Sequence, residues 1–169
     1  MLISKTVNAA LNKQVGNELG ASIQYIEVAA YFALEGLGVL SEYFFKQANE
    51  ERDHALRIIK YIIDAGGQVE IPAIPAPRSN FGSAVEAVQL ALDWENEVTS
   101  QINKLVALAV KENDYITQNM LNWFLNEQLE EVSSMDSLLK LVQRAGQNLL
   151  YVENLLKKES DKPNTSGNS

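Results

Sequence analysis

The only histidine in this 169-residue chain stands in Glu51-Arg52-Asp53-His54. Side chains three residues apart share one face of a helix, so Glu51 and His54 can grip the same metal ion. Glu18, Glu95, Gln128 and Glu131 stand in three other stretches that also read as helix. Carboxylates with an imidazole suit iron, and a bridging carboxylate can hold two ions a few ångströms apart. The residues assign Glu18 and His54 to one ion, Glu51 as the bridge, and Glu95 with either Gln128 or Glu131 to the other. Four carboxylates balance two ferrous ions, which makes the loaded site neutral. Without metal the carboxylates repel, and some of them hold protons.

The elements that must position these groups are marked by sparse punctuation. Gly36-Leu37-Gly38, Gly66-Gly67, Asn113-Asp114 and Ala145-Gly146 read as turns, and Pro72, Pro75 and Pro77 fall in one link. Between the marks lie four long helical patterns, over 5–35, 41–66, 82–111 and 114–145, and a short fifth over 147–159. No segment shows a sustained alternation of strand type. The spacing predicts one domain over 1–159 and a polar, disordered tail over 160–169.

Apolar rows at steps of three and four mark the faces that pack. They are Leu11, Val15, Glu18, Ser22, Tyr25, Ala29 and Phe32 in the first helix, and Phe44, Ala48, Glu51, Ala55, Ile58 and Ile62 in the second. The third carries Val85, Val88, Leu92, Glu95, Thr99, Ile102, Val106 and Ala109, and the fourth Leu121, Phe124, Gln128, Glu131, Met135, Leu138 and Val142. Each row turns acidic or amide at one level. An unpaired carboxylate in a core costs several kcal/mol, so the four rows together call for something cationic.

Glu18 and Glu51 are 33 residues apart, as are Glu95 and Gln128. In two antiparallel hairpins these pairs meet at matching depth. The 15-residue link from Gln68 to Gly82 spans ~50 Å when extended. A helix of ~26 residues is ~39 Å long, so the link can return along the bundle and set helices two and three parallel. The fold class is therefore all-α, a four-helix bundle with one long crossover and a short fifth C-terminal helix.

Composition narrows the function classes. The net charge of −8 opposes nucleic-acid binding and favours cations. Without cysteine there is no disulfide framework, thiolate zinc site or iron–sulfur cluster. No apolar run approaches the ~20 residues of a membrane span, and the first twelve residues lack the apolar core of a secretory signal. A cytoplasmic location fits.

Each feature also has a plainer explanation. A lone Glu-x-x-His arises often by chance, Tyr25 and Trp123 suit core packing, and Glu127, Glu130 and Glu131 suit a solvated face. The coincidence of depth in four helices is what singles them out. The chain resembles the bacterial non-haem ferritins from about Leu11 to Leu156. The resemblance rests on Asn17-Glu18 with Tyr25, on Glu50-Glu51-Arg52-Asp53-His54, on Trp94-Glu95, and above all on the run from Trp123 to Glu131.

That resemblance implies a ferroxidase centre at Glu18, Glu51, His54, Glu95 and Gln128, with Tyr25 close by. It implies a third iron site at Glu50, Glu127, Glu130 and Glu131. It also implies a homo-oligomeric 24-subunit shell that stores iron oxidised by O2 or H2O2, with the fifth helix at the four-fold axis. Glu127-x-x-Glu130 replaces the second Glu-x-x-His of bacterioferritins and rubrerythrins. Arg52 occupies the place of the haem-ligating methionine, so no haem is expected. Gln118 and Leu121 stand where animal ferritins line the three-fold channel with acids. Two competing readings are a non-cage di-iron oxidoreductase acting on an organic substrate, and a DNA-protecting mini-ferritin. The second needs interface ligands and commonly a basic tail, whereas this tail carries Lys162 against Asp161.

Overall fold

The computed structural model describes residues 1–161. It consists of α1 (Lys5–Leu34), α2 (Gly38–Asp64), α3 (Ala84–Lys111), α4 (Tyr115–Ala145) and α5 (Leu149–Ser160). Among the described residues there is no strand, and no helix is long and apolar enough to cross a membrane. The fold class read from the sequence is the one observed. Most of the expected tail, residues 162–169, lies outside the described residues, while Ser160 closes α5 and Asp161 caps it.

The helix ends follow local chemistry. Ser4, Ser83 and Asp114 cap α1, α3 and α4 by accepting the N–H groups of Val7, Glu86 and Thr117. At the end of α1, Gly36 takes a φ of 75°, and Leu37 N–H donates to Phe32 O at 2.9 Å. That is the 6→1 closure of a Schellman motif, which favours glycine. α2 then restarts at Gly38, three residues earlier than the sequence suggested. Asn113, with a φ of 56°, fills the same role between α3 and α4.

α1 packs on α2, α3 on α4, and α1 also on α3, while α5 rests on α2 and α4. The returning link lies in a track along α1. Asn8 and Asn12 both donate to Gln68 O, Asn12 Oδ1 accepts from Glu70 N–H at 2.7 Å, and Gln24 pairs with both backbone groups of Arg78 at 2.8 Å. Between them Gly16 lies beneath Pro72 and Gly20 beneath Ile74. The link therefore advances in the direction of α1, which is opposed to α2. Phe81 then meets Tyr31 near the end of α1, and α3 starts there and runs parallel to α2, as the link length required.

A Cβ on Gly16 would lie 2.4 Å from Pro72 Cγ, against a ring that cannot swing aside. Gly16→Val should destabilise the protein by about 1–3 kcal/mol through overpacking. Denaturant unfolding of the variant beside the parent checks this.

Two apolar cores fill the bundle. One is built around Tyr25, Phe32, Phe44, Met135 and Val142 and extends to Val152 of α5. The other is built around Leu11, Val15, Ile58, Ile102, Leu121 and Phe124. The polar level falls between them. The rows expected for α1, α2 and α4 are buried throughout. In α3 the row positions Val88, Leu92, Glu95, Ile102 and Ala109 are buried, Val85, Thr99 and Val106 are only half-buried, and Ala87, Ala91, Val98 and Leu105 are buried outside the row. α3 touches both α1 and α4, so its packed stripe is broader than one row.

Candidate metal centre

Glu18, Glu51, Glu95 and Gln128 arrive at one depth, and each is at most 2 % exposed. Gln128 Nε2 on α4 donates to Glu95 O and Glu95 Oε2 on α3, both at 3.2 Å. The 33-residue spacing thus closes across the second hairpin. In the first, Glu18, Glu51 and His54 each offer a ligand atom within 4.8 Å of the others. Glu51, Glu95 and Glu131 form a second group of the same tightness, and His54, Glu127 and Glu131 a third. Glu51 belongs to the first two groups and Glu131 to the last two.

Hydrogen bonds leave selected atoms free. Gln14 Nε2 holds Glu18 Oε1 at 2.8 Å, and the Tyr25 hydroxyl donates to Glu95 Oε1. Glu18 Oε2, both oxygens of Glu51 and His54 Nδ1 are buried without a hydrogen bond. Buried polar atoms are normally satisfied, so this concentration of orphans at one level needs a cause. Divalent cations held among these residues would satisfy them, and oxygen with imidazole donors fits iron.

His54 is held from outside the metal-facing side. Its ring lies edge-on to Trp123 and Phe124, at 5.4 and 5.9 Å between centroids, and Arg57 sits 3.9 Å over the Trp123 indole. Nδ1 faces Glu51 at 3.4 Å and Nε2 faces Glu127 at 3.8 Å. The imidazole therefore stands between the first and third groups.

Burial governs the electrostatics of these carboxyls. Burial, reinforced by the neighbouring carboxylates, pushes Glu18 and Glu51 well above the usual glutamate range. Burial also raises Glu95, against the donations from Tyr25 and Gln128. Glu131 is pushed up to about 8, first by burial and then by Glu95. Burial and Glu95 raise the Tyr25 hydroxyl as well, so it stays protonated and remains a donor.

A raised carboxyl holds its proton longer in the folded state than in the unfolded one. The corresponding stability is fully present below the unfolded value of about 4.5 and is lost as pH rises through the folded value, about 8 for Glu131. Each unit of elevation is worth about 1.4 kcal/mol. The metal-free protein should therefore lose a few kcal/mol of stability between pH 5 and pH 8. Excess divalent metal should flatten that slope, and thermal melts with and without chelator at several pH values check it.

The sequence left Gln128 and Glu131 as alternatives beside Glu95. Glu131 offers a carboxylate oxygen within 4.8 Å of Glu51 and Glu95, and the Gln128 amide N–H groups hold Glu95. Of the expected third site, Glu127 and Glu131 converge on His54. Glu50 is half-buried, lies near enough to raise Glu131, and pairs with Lys46 at 3.8 Å. Glu130 is exposed and joins none of the three groups. Glu127 and Glu131 share a face at i,i+4, while Glu130 is turned about 100° from Glu131, following from ~3.6 residues per turn.

Sequence reasoning missed Gln14, and it placed Thr99 in the packing row of α3 without a role at the site. Gln14 is 2 % exposed and binds Glu18. Thr99 Oγ1 donates to Glu95 O and accepts from Gln128 Nε2. The only signal for Gln14 was its place four residues before Glu18.

Comparison with known proteins gives a consistent picture. The sequence model of the family Ferritin, described as a ferritin-like domain, matches residues 8–145. The chain is 40 % identical over 154 residues to ferritin BfrB of Mycobacterium tuberculosis, covering 91 % of this chain and 85 % of the relative. It is 37 % identical over 153 residues to a bacterial non-heme ferritin of Staphylococcus aureus, covering 89 % and 92 %. Among solved structures, an open pore ferritin of the hyperthermophilic archaeon Archaeoglobus fulgidus superposes with a TM-score of 0.90 at 30 % identity, covering 96 % and 99 %.

Proposed function

The chain belongs to the ferritin family, and from that premise we propose that it oxidises ferrous iron at the four-helix centre and stores the ferric product in a shell of its own copies. The observation that carries this reading is the carboxylate of Glu51. It is shared by two buried groups of potential ligands, and neither of its oxygens accepts a hydrogen bond, although His54 Nδ1 lies 3.4 Å from one of them. One ferrous ion fits Glu18, Glu51 and His54, and a second fits Glu51, Glu95 and Glu131. Gln128 and Tyr25 hold Glu95 in place through their hydrogen bonds.

Iron is the substrate here. Each of two ferrous ions gives up one electron, and one O2 takes both electrons and two protons to leave as H2O2. With H2O2 as oxidant, the same two electrons and two protons yield two waters. The site contributes proximity, since both electrons leave from ions held on one carboxylate. It also contributes charge balance, because carboxylates stabilise the more highly charged product. His54, Glu127 and Glu131 form the way out. They share members with the centre and lead to the half-buried Glu50, so Glu50 and Glu127 would receive iron in transit, with Glu130 on the exposed side. We place the assembly in the cytoplasm, as a 24-subunit cage.

Stopped-flow oxidation of ferrous iron, with size-exclusion chromatography of the same sample, tests the proposal. A fast phase that saturates at two ferrous ions per chain, in a particle far larger than a dimer, supports it. A small particle that oxidises iron would instead favour a non-cage di-iron oxidoreductase.

A further inference from the structure

Glu18 is held differently from the other carboxylates. One oxygen, Oε1, accepts from Gln14 Nε2 at 2.8 Å, and the other, Oε2, is buried and unpartnered. Gln14 is itself locked at both ends. Its second Nε2 proton points to Gln101 Oε1 on α3 at 3.3 Å, and its Oε1 accepts from Asn17 Nδ2 at 3.1 Å. Gln101 is oriented in turn, because its Nε2 donates to Glu97 Oε1 at 3.2 Å. These four side chains border a groove of about 250 Å³ between α1 and α3, and Gln14 is the member that reaches Glu18 from it.

The chain of bonds has a direction. A carboxylate only accepts, so Glu97 requires the NH2 end of Gln101 and leaves the carbonyl end facing Gln14. That carbonyl requires the NH2 end of Gln14, which is the end Glu18 also requires. Reversing the Gln14 amide would set its oxygen against Glu18 Oε1 and Gln101 Oε1 at once.

We propose that Gln14 is a positioning residue for the metal centre: it occupies Glu18 Oε1 so that Glu18 binds metal through Oε2 alone, and Gln101 fixes the orientation of Gln14. This inference rests on the reading of the centre given above. With Gln14 in place Glu18 presents one oxygen, and without it both oxygens are free to close on the ion. Groups that orient metal ligands in this way typically change affinity 10–100-fold when removed.

Binding of Co2+ alone to the full-length protein, followed by its visible absorption and by calorimetry, tests the proposal without any turnover. The parent should take up two Co2+ per chain. Gln14→Leu, close in size, should weaken the ion held by Glu18 and His54 by roughly 10–100-fold, and leave the ion held by Glu95 and Glu131 nearly unchanged. The visible band should also change shape, as Glu18 adds a second oxygen to the ion. Gln101→Met, which removes the acceptor at similar size, should give a smaller loss in the same direction. Gln101→Glu, which keeps an acceptor toward Gln14 but loses the donor to Glu97, should fall between Gln101→Met and the parent. Equal loss at both ions would mark a general packing defect and overturn the proposal. So would identical behaviour of the two Gln101 variants, or an unaltered Co2+ spectrum in Gln14→Leu. A parent that binds no Co2+ at Glu18 sinks the reading of the centre as well. Two tight ions in a Gln14→Leu protein sink this inference alone.

Discussion

Glu51→Ala should slow the fast oxidation of ferrous iron by about three orders of magnitude. Glu51 is fully buried, belongs to two of the three groups that could hold an ion, and has two oxygens without a hydrogen bond. Removing it takes a ligand from both ions and leaves them without a bridge. A bound metal ion contributes several kcal/mol of transition-state charge stabilisation, and about 1.4 kcal/mol is a tenfold change in rate. His54→Ala should fall in the same direction but less far, because Glu18 and Glu51 remain for the first ion and the second keeps its group. Stopped-flow absorbance at two ferrous ions per chain reads both effects, and a parental fast phase in Glu51→Ala would refute the assignment.

The second large effect is a reversal of sign in stability. Without metal, Glu51 is a buried acid pressed against Glu18 and Glu95, with nothing to satisfy its oxygens. Glu51→Leu, of similar volume, removes that penalty. Replacing buried charged groups with well-packed apolar ones is often stabilising by about 1–4 kcal/mol. The metal-free variant should therefore melt higher than the metal-free parent at pH 8, by roughly 2–4 °C per kcal/mol for a chain of this size. Divalent metal should invert the order. At a hundred times Kd it stabilises the parent by about 2.7 kcal/mol, while the variant, having lost the bridge, gains far less. Paired thermal melts with chelator and with metal measure both halves. A variant less stable than the parent under chelator would mean that Glu51 is satisfied in the native protein by something other than metal.

The convergence of these side chains at one depth was largely legible because it combines residue type with arithmetic. A Glu and a His at i,i+3 need only helix geometry, and the two 33-residue separations need only antiparallel hairpins. Rows that turn acidic at one level stand out against apolar neighbours, so α1, α2 and α4 were read position by position. α3 was less legible because it faces two partners. Thr99 turns to Gln128, Val98 joins the core with Leu11 and Ile102, and a single row cannot describe both faces.

The track for the crossover was hidden for another reason. Asn8, Asn12, Gly16, Gly20 and Gln24 recur at steps of four, yet polar and glycine residues do not announce burial. They bury because the link brings backbone groups and prolines onto them, and its course depends on side-chain amides pairing with particular peptide groups. Gln14 escaped notice in the same way. An amide four residues from a glutamate is ordinary on a helix surface, and its role appears only once α3 supplies Gln101.

The central claim is that two metal ions complete a buried set of acids, and anomalous scattering tests it most directly. Crystals soaked in ferrous iron without oxygen, measured on both sides of the iron absorption edge, should show two peaks about 3.5–4 Å apart. The peaks should flank Glu51, one beside Glu18 and His54 and the other beside Glu95 and Glu131. Density confined to surface carboxylates, with Glu51 untouched by metal, would contradict the account.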